Sequence, residues 1–352
     1  SQHEGRSLAF SVLILSVILA AATGVIGATI TMLAAIALPA LLRTGINEKI
    51  AAGLICASGS LGQLIPPSIV LILLSDQISN AWILSQRELG NFAPEPISIV
   101  DLFSATILPG LLLAGLYAVY LLFAIKPTTK VEISNDQVKQ PFLLRPLLVL
   151  CVVILVPLSI VLGLATASEA ASIGVFGVAL LLLKSGCFAT FKAAFVETME
   201  LTGVIFGIII SASILALVFR GLGGDEKVSS ILSAMPGDAM GALFVVMLVI
   251  FLLGFIIEFI EITYIVIPVT APVLFAMGVD PIWFAVLVAI NLQISFLTPP
   301  LGIALFYYQS VSKINALKLY RSVLPFIGLQ ILALLIVFVF PPLATWLPAI
   351  LI

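Results

Sequence analysis

The sequence predicts an all-α integral membrane protein, built on an inverted repeat with two re-entrant hairpins and two interrupted helices. Three observations carry that expectation. The chain has 352 residues, 62% of them hydrophobic and 9% charged, where a soluble domain carries roughly 25% charge. Its apolar runs reach the roughly 20 residues that cross a bilayer as a helix. Two of these runs resemble each other, and both are broken by Pro-Pro.

Composition also sets functions aside. A net charge of −2 provides no electrostatic footprint for nucleic acid. Cys56, Cys151 and Cys187 lie in or beside apolar runs and form no C-x-x-C pair, which reads as structural thiols. His3, the one histidine, sits in the polar start. There is no GxSxG, no HExxH and no histidine in an apolar run. An intramembrane hydrolase would therefore lack its buried nucleophile and base, and no enzyme is expected. The chain opens SQHEGRSLAF, without methionine or a signal-peptide cleavage pattern, so an N-terminal truncation is expected.

Taken in order, residues 8–42 hold two apolar arms of about 15 residues around Thr23-Gly24-Val25-Ile26-Gly27, short for full crossings and suited to a re-entrant hairpin. Runs at 50–75 and 281–309 are long enough to cross but carry Gly, Ser and Pro-Pro midway. Plain spans are expected at 101–125, 146–164, 195–219 and 323–346, with a shorter run at 165–183. Residues 240–277 repeat the hairpin arrangement, with Gly254 to Thr263 at the turn.

Placing the N-terminus in the cytoplasm puts twelve of the 15 basic residues inside: Arg6, Arg43, Lys49, Lys126, Lys130, Lys139, Arg145, Lys184, Lys192, Lys313, Lys318 and Arg321. Arg87, Arg220 and Lys227 fall outside, a bias that sets orientation. Segment 76–100, with Asp76, Glu88 and Glu95, then reads as an external loop.

Residues 39–67 align with 272–300 without a gap, at a shift of 233. Pro39, Leu41, Gly45, Ala52, Leu54, Leu64, Pro66 and Pro67 meet Pro272, Leu274, Gly278, Ala285, Leu287, Leu297, Pro299 and Pro300. Chance in so apolar a chain gives about two or three such identities. The loop at 43–49 is basic and its counterpart at 278–281 is not, so the copies are expected to have opposite topology. Inverted repeats with interrupted helices are a plan of secondary transporters, with binding near the midplane.

Proline removes an amide donor and clashes with the preceding turn. The helices should open at Leu64–Pro67 and at Leu297–Pro300, freeing carbonyls that cost several kcal/mol each in hydrocarbon unless satisfied. Ser58, Gly59, Ser60, Gln63 and Ser68 flank the first opening, and Asn291, Gln293, Ser295 and Thr298 the second. Such uncharged oxygen donors suit Na⁺ rather than a soft metal. The alternative is a kinked helix whose Ser and Thr cap the freed groups. Glu258 and Glu261 lie in LGFIIEFIEIT, on one face if that stretch is helical, and intramembrane carboxylates are usually functional. Glu169, in ATASEAASIGVFG, is either such a group or a helix-start carboxylate capped by Ser168 or Thr166.

These motifs resemble a known family. ASGSLGQLIPPSIVLIL (57–73) and NLQISFLTPPLGIALFY (291–307) look like the two repeat signatures of the large membrane subunit of tripartite ATP-independent periplasmic (TRAP) transporters. FRGLGGDEKV (219–228), ATASEAASIGVFG (165–177) and FPPLATWLP (340–348) match as well, so the resemblance covers nearly the whole chain. LGFIIEFIE with NLQISFLTPP looks closest to the branch labelled mannitol or chloroaromatic-compound type, a label that does not identify the substrate.

The resemblance implies an elevator-type transporter of the inner membrane. It would be driven by Na⁺ as coupling ion without a cofactor, and would import a small carboxylate. A periplasmic substrate-binding protein would deliver that substrate, and a small four-helix membrane subunit would accompany the chain. It implies transport-domain repeats at 8–75 and 238–310, an external loop at 76–100, scaffold and connecting helices at 101–237, and a C-terminal span at 311–352. Ser58, Gly59, Ser60, Pro66 and Pro67 would belong to one ion-site region, and Asn291, Ser295, Thr298, Pro299 and Pro300 to the other. Thr23, Gly24, Glu258 and Glu261, at the hairpin turns, complete the candidate set. The family normally has further N-terminal helices. A proton-coupled or binding-protein-independent organic-anion transporter using Glu258 and Glu261 stays open. A channel fits two matched breaks less well than alternating access does.

Overall fold

A computed structural model describes residues 4–23, 26–125, 151, 155–156, 158–160, 163–184, 188–300 and 302–351. Outside these lie His3, Gly24, Val25, Lys126, Lys130, Lys139, Arg145, Cys187 and most of the run at 146–164. The described residues are helical, with no strand among them.

The helices are α1 (Glu4–Thr23), α2 (Ile26–Arg43), α3 (Glu48–Ser60), α4 (Ile69–Glu88), α5 (Ile99–Ala124), α6 (Ala167–Lys184) and α7 (Phe188–Gly221). Then come α8 (Gly224–Ser233), α9 (Asp238–Leu253), α10 (Phe259–Ala276), α11 (Pro281–Leu297), α12 (Ile303–Val311), α13 (Ala316–Val339) and α14 (Pro342–Leu351). Six of them, α2, α4, α5, α7, α10 and α13, are long and apolar enough to cross a bilayer. This is a multi-pass membrane protein.

The chain divides into two compact units. Ser134–Leu215 forms one, and Ser1–Ile133 with Ala216–Ile352 forms the other, which holds every candidate site residue. In the larger unit, α1 and α2 pack on each other and on α3, α4 packs on α10, and α13 lies against α3 and α11. Every residue of α3 from Ala51 to Ser60 is buried, and so is every residue of α11 from Trp283 to Leu297. An apolar helix that touches lipid shows an exposed face, so these two lie inside the protein on all sides. The two most enclosed helices are the two that Pro-Pro interrupts.

The repeat is visible in the backbone. The Gly45 and Gly278 residues both have positive φ, 76° and 93°. Ile46 N donates to Leu41 O, and Val279 N to Leu274 O, closing matched helix ends 233 residues apart. The next helices start under matched caps, Asn47 Oδ1 accepting from Lys49 N and Asp280 Oδ1 from Trp283 N. Pro66-Pro67 and Pro299-Pro300 are both cis.

Several expectations change. The hairpin arms are longer than 15 residues: α1 has 20 and α2 has 18, because the polar residues beyond each apolar run continue the helix. Length alone therefore no longer separates a re-entrant α2 from a span. Helix α4 runs on to Glu88, so the irregular connection starts at Leu89 rather than at residue 76. Helix α13 stops at Val339, where Pro341 cannot continue the ladder, and α14 follows. Helix α7, with 34 residues, reaches about 51 Å at 1.5 Å per residue, more than a hydrocarbon core needs.

Candidate functional site

The first opening begins at Ser60. Helix α3 tightens into a 3₁₀ turn over Leu61–Gln63, and α4 begins at Ile69. The second begins later in the repeat, because α11 stays α-helical to Leu297 and α12 starts at Ile303. Pro66 is buried and Pro67 half-buried, whereas Pro299 is half-buried and Pro300 exposed. The first break is enclosed and the second reaches the surface of the unit.

Each interrupted helix is tied to the first arm of its own repeat. Ser58 Oγ lies 2.9 Å from Ser16 Oγ of α1. Its counterpart at the 233 shift, Asn291, donates from Nδ2 to Met247 O of α9 at 2.6 Å. Ser295 Oγ reaches Phe251 O at 3.5 Å, one turn along the same pair of helices. Gly59 sits where a Cβ would come 2.5 Å from Ile30 Cγ1, so its missing side chain lets α2 approach α3. Gly254 does the same for Ser295, with 2.5 Å to its Oγ.

The hydroxyl protons point at helix carbonyls. Ser16 donates to Val12 O at 2.6 Å, Ser60 to Ala57 O at 2.8 Å and Thr298 to Ile294 O at 2.7 Å, while the one Ser58 proton is shared between Leu54 O at 2.6 Å and Ser16 Oγ. Ser295 donates to Asn291 O at 3.1 Å. The amide protons of Asn291 and Gln293 are also directed at oxygens. Gln63 Oε1, Asn291 Oδ1 and Gln293 Oε1 are then buried acceptors with no donor, and the hydroxyls of Ser68 at the start of α4 and Thr263 in α10 are buried with no partner in either direction. A buried polar atom without a partner costs about 1–3 kcal/mol. The unpartnered carboxamide atoms of Gln63, Asn291 and Gln293 are all oxygens. A hard cation fits that donor set, and an anion at these atoms does not.

The second hairpin turn differs from its sequence reading. Gly254–Glu258 forms the break, and Glu258 is the exposed, extended residue before α10, not a helical residue sharing a face with Glu261. The apolar stretch stops being helical at Gly254, so the i, i+3 argument fails there. Glu261 lies in the first turn, with Oε2 buried and unpartnered. A π-helical turn over Ile262–Val266 follows, a distortion frequent at functional sites. In the first hairpin, Thr23 ends α1 and Gly24 lies outside the described residues.

Glu169 proves to be a cap. Thr166 N and Thr166 Oγ1 both donate to Glu169 Oε2 at 2.8 Å, and Glu169 N returns to Thr166 Oγ1 at 3.4 Å. Thr166, rather than Ser168, is the partner. In FRGLGGDEKV, Arg220 Nε pairs with Asp225 Oδ2 at 3.2 Å across the turn into α8. Sequence reasoning missed Ser16, a hydroxyl in an apolar run, and Gln330, fully buried in α13; each had that single polar letter as its signal. It also missed Met247, whose backbone oxygen leaves no mark in the sequence.

The profile of the family described as tripartite ATP-independent periplasmic transporter, DctM component, matches residues 3–343. The chain belongs to the DctM family. It is therefore a transporter component rather than an enzyme. Among its relatives is the C4-dicarboxylate TRAP transporter large permease protein DctM of Vibrio cholerae serotype O1, 30% identical over 98% of this chain and 78% of that protein. The 2,3-diketo-L-gulonate TRAP transporter large permease protein YiaN of Escherichia coli is 26% identical over 97% of this chain and 77% of its own length. The sialic acid TRAP transporter permease protein SiaT of Haemophilus influenzae is 26% identical over 88% of this chain and 48% of its own.

Proposed function

We propose that this chain is the large permease subunit of an inner-membrane importer for a small carboxylate, driven by a Na⁺ gradient. The observation that carries the reading is the set of buried carboxamide oxygens without donors, Gln63 Oε1 at the first break and Asn291 Oδ1 and Gln293 Oε1 ahead of the second. Na⁺ would be held as a transported ion by freed carbonyls at Gly62–Ile65 and Leu297–Thr298, with Ser58, Gly59, Ser60 and Gln63 on one side. Asn291, Ser295 and Thr298 would stand on the other. Two relatives are named for anionic substrates, a C4-dicarboxylate and sialic acid, which supports the carboxylate class. The helix starts that follow Pro66-Pro67 and Pro299-Pro300 supply positive ends suited to such a group.

In this reading the two repeats move together as the carrier of an elevator, with the N-terminus cytoplasmic. A small four-helix membrane subunit and a periplasmic binding protein act with it. Uptake by the chain with those partners in proteoliposomes should saturate with Na⁺ and stop when the Na⁺ gradient is removed. Uptake at full rate without that gradient would overturn the Na⁺ assignment.

A second reading keeps one observation of its own. Glu261 has a buried, unpartnered carboxylate oxygen next to the Glu258 break, as a proton carrier would. In that case Glu261→Gln abolishes pH-driven uptake, and intact pH-driven uptake in that variant removes the role.

A further inference from the structure

Across the centre of the larger unit, Gln293 Nε2 of α11 lies 3.5 Å from Ser60 Oγ of α3, both residues fully buried. The two are separated by 233 residues, the shift that relates the repeats. The contact is therefore between one position and its own counterpart. A two-fold operation exchanges such a pair and leaves their midpoint where it is, so a close contact of this kind must sit on the axis. The Ser60–Gln293 contact marks where the internal pseudo-two-fold passes through the protein.

Its place along the chain gives it consequence. Ser60 is the last residue of α3, immediately before the 3₁₀ turn, and Gln293 lies one turn before the end of α11. One residue before Ser60 is Gly59, pressed on Ile30; two residues before Gln293 is Asn291, bound to Met247 O. Ser60 Oγ already donates to Ala57 O, so the amide NH₂ of Gln293 is the donor across the axis. That leaves Gln293 Oε1 as one of the unpartnered acceptors. One side chain thus reaches the opposite repeat with its nitrogen and offers its oxygen to the space between.

We propose that Ser60 and Gln293 form a positioning pair that holds the two opened turns at a set separation, so that a cation at one is felt at the other. This rests on the Na⁺ reading above and adds to it a physical link between the two ion regions. Enclosed helices lack the slack to absorb a shift at one end, so a displacement at the first break passes to the second through this contact.

The repeat itself supplies the test. If the positions are interchangeable across a pseudo-axis, the residues can be exchanged: Ser60→Gln with Gln293→Ser presents the same pair from the opposite helix. Four proteins are compared as the full chain with its membrane partner: the parent, Ser60→Gln, Gln293→Ser and the exchange. Each is followed by Na⁺ dependence of uptake and by thermal melting in detergent. Gln293→Ser is expected to raise half-saturating Na⁺ about tenfold, the effect of one buried hydrogen bond, and to make the Na⁺ dependence less steep. Ser60→Gln, with two amides in one space, should melt lowest. The exchange should recover both the Na⁺ response and the melting temperature toward the parent. An exchange no better than the sum of the two single variants would overturn the proposal. Were the parent to show no Na⁺ response, the Na⁺ reading would fall, and the pair would be judged on melting alone: recovery in the exchange supports it, additivity refutes it.

Discussion

The two repeats begin from the same local grammar and reach different ends. Both close a helix on a left-handed glycine, Gly45 or Gly278, and both start the next under an Asx cap, Asn47 or Asp280. Beyond that they diverge. The first break starts at Ser60, is enclosed, and leads into the 20-residue α4. The second starts at Leu297, reaches the surface at Pro300, and leads into the 9-residue α12. The tie to the neighbouring arm differs too: a pair of hydroxyls in the first, a carboxamide on a backbone carbonyl in the second. Where the copies agree, backbone geometry is being kept. Where they differ, each break is suited to its own contents.

The largest effect that separates them should come from Gly53. A Cβ there would fall 2.3 Å from Ser322 O and 2.7 Å from Phe326 Cε2, and a backbone oxygen cannot step aside. Gly53→Ala should cost about 3 kcal/mol, the upper part of the overpacking range. Its counterpart, Val286, is fully buried yet accommodates a branched side chain, and Val286→Ala should cost about 1–2 kcal/mol as a small cavity. Melting in detergent reads both, and equal losses would contradict the asymmetry of α3 and α11 packing.

Next in size is the pair of ties. Asn291→Leu leaves Met247 O without its donor and removes an unpartnered acceptor, so half-saturating Na⁺ should rise tenfold or more, about 1.4 kcal/mol. Ser58→Ala leaves Ser16 bonded to Val12 O and should cost less than about 1 kcal/mol. Na⁺ titrations of uptake rank the two. Smallest, and alike in both copies, are the caps: Asn47→Ala and Asp280→Ala should each lower stability by about 1 kcal/mol in melting experiments.

Much of the frame could be read from the sequence, since apolar length and paired prolines act locally. The shift of 233 located both breaks and paired Gly45 with Gly278, whose role as helix ends, like the Asn47 and Asp280 caps, came from the structure. It did not foresee that the opening starts at Ser60 in one copy and at Leu297 in the other, because Gly62 and Gln63 stand where Ser295 and Phe296 continue the helix. The arms of the first hairpin were read too short because polar residues such as Glu4 and Arg43 extend a helix as readily as they end one. The spacing of Glu258 and Glu261 puts them on one face only if the stretch is helical, and the chain breaks at Gly254 first. Ser16 and the Met247 carbonyl became visible only once α1 and α9 were seen against the broken helices. Such contacts depend on tertiary approach and leave no periodic trace.

Everything rests on the two copies standing in opposite directions across the bilayer. Thr44→Cys and Met277→Cys, equivalent positions placed singly in a chain without Cys56, Cys151 and Cys187, can be labelled in oriented vesicles with an impermeant thiol reagent. The account predicts that position 44 reacts from the cytoplasmic side and position 277 from the periplasmic side; labelling of both from one side would contradict it.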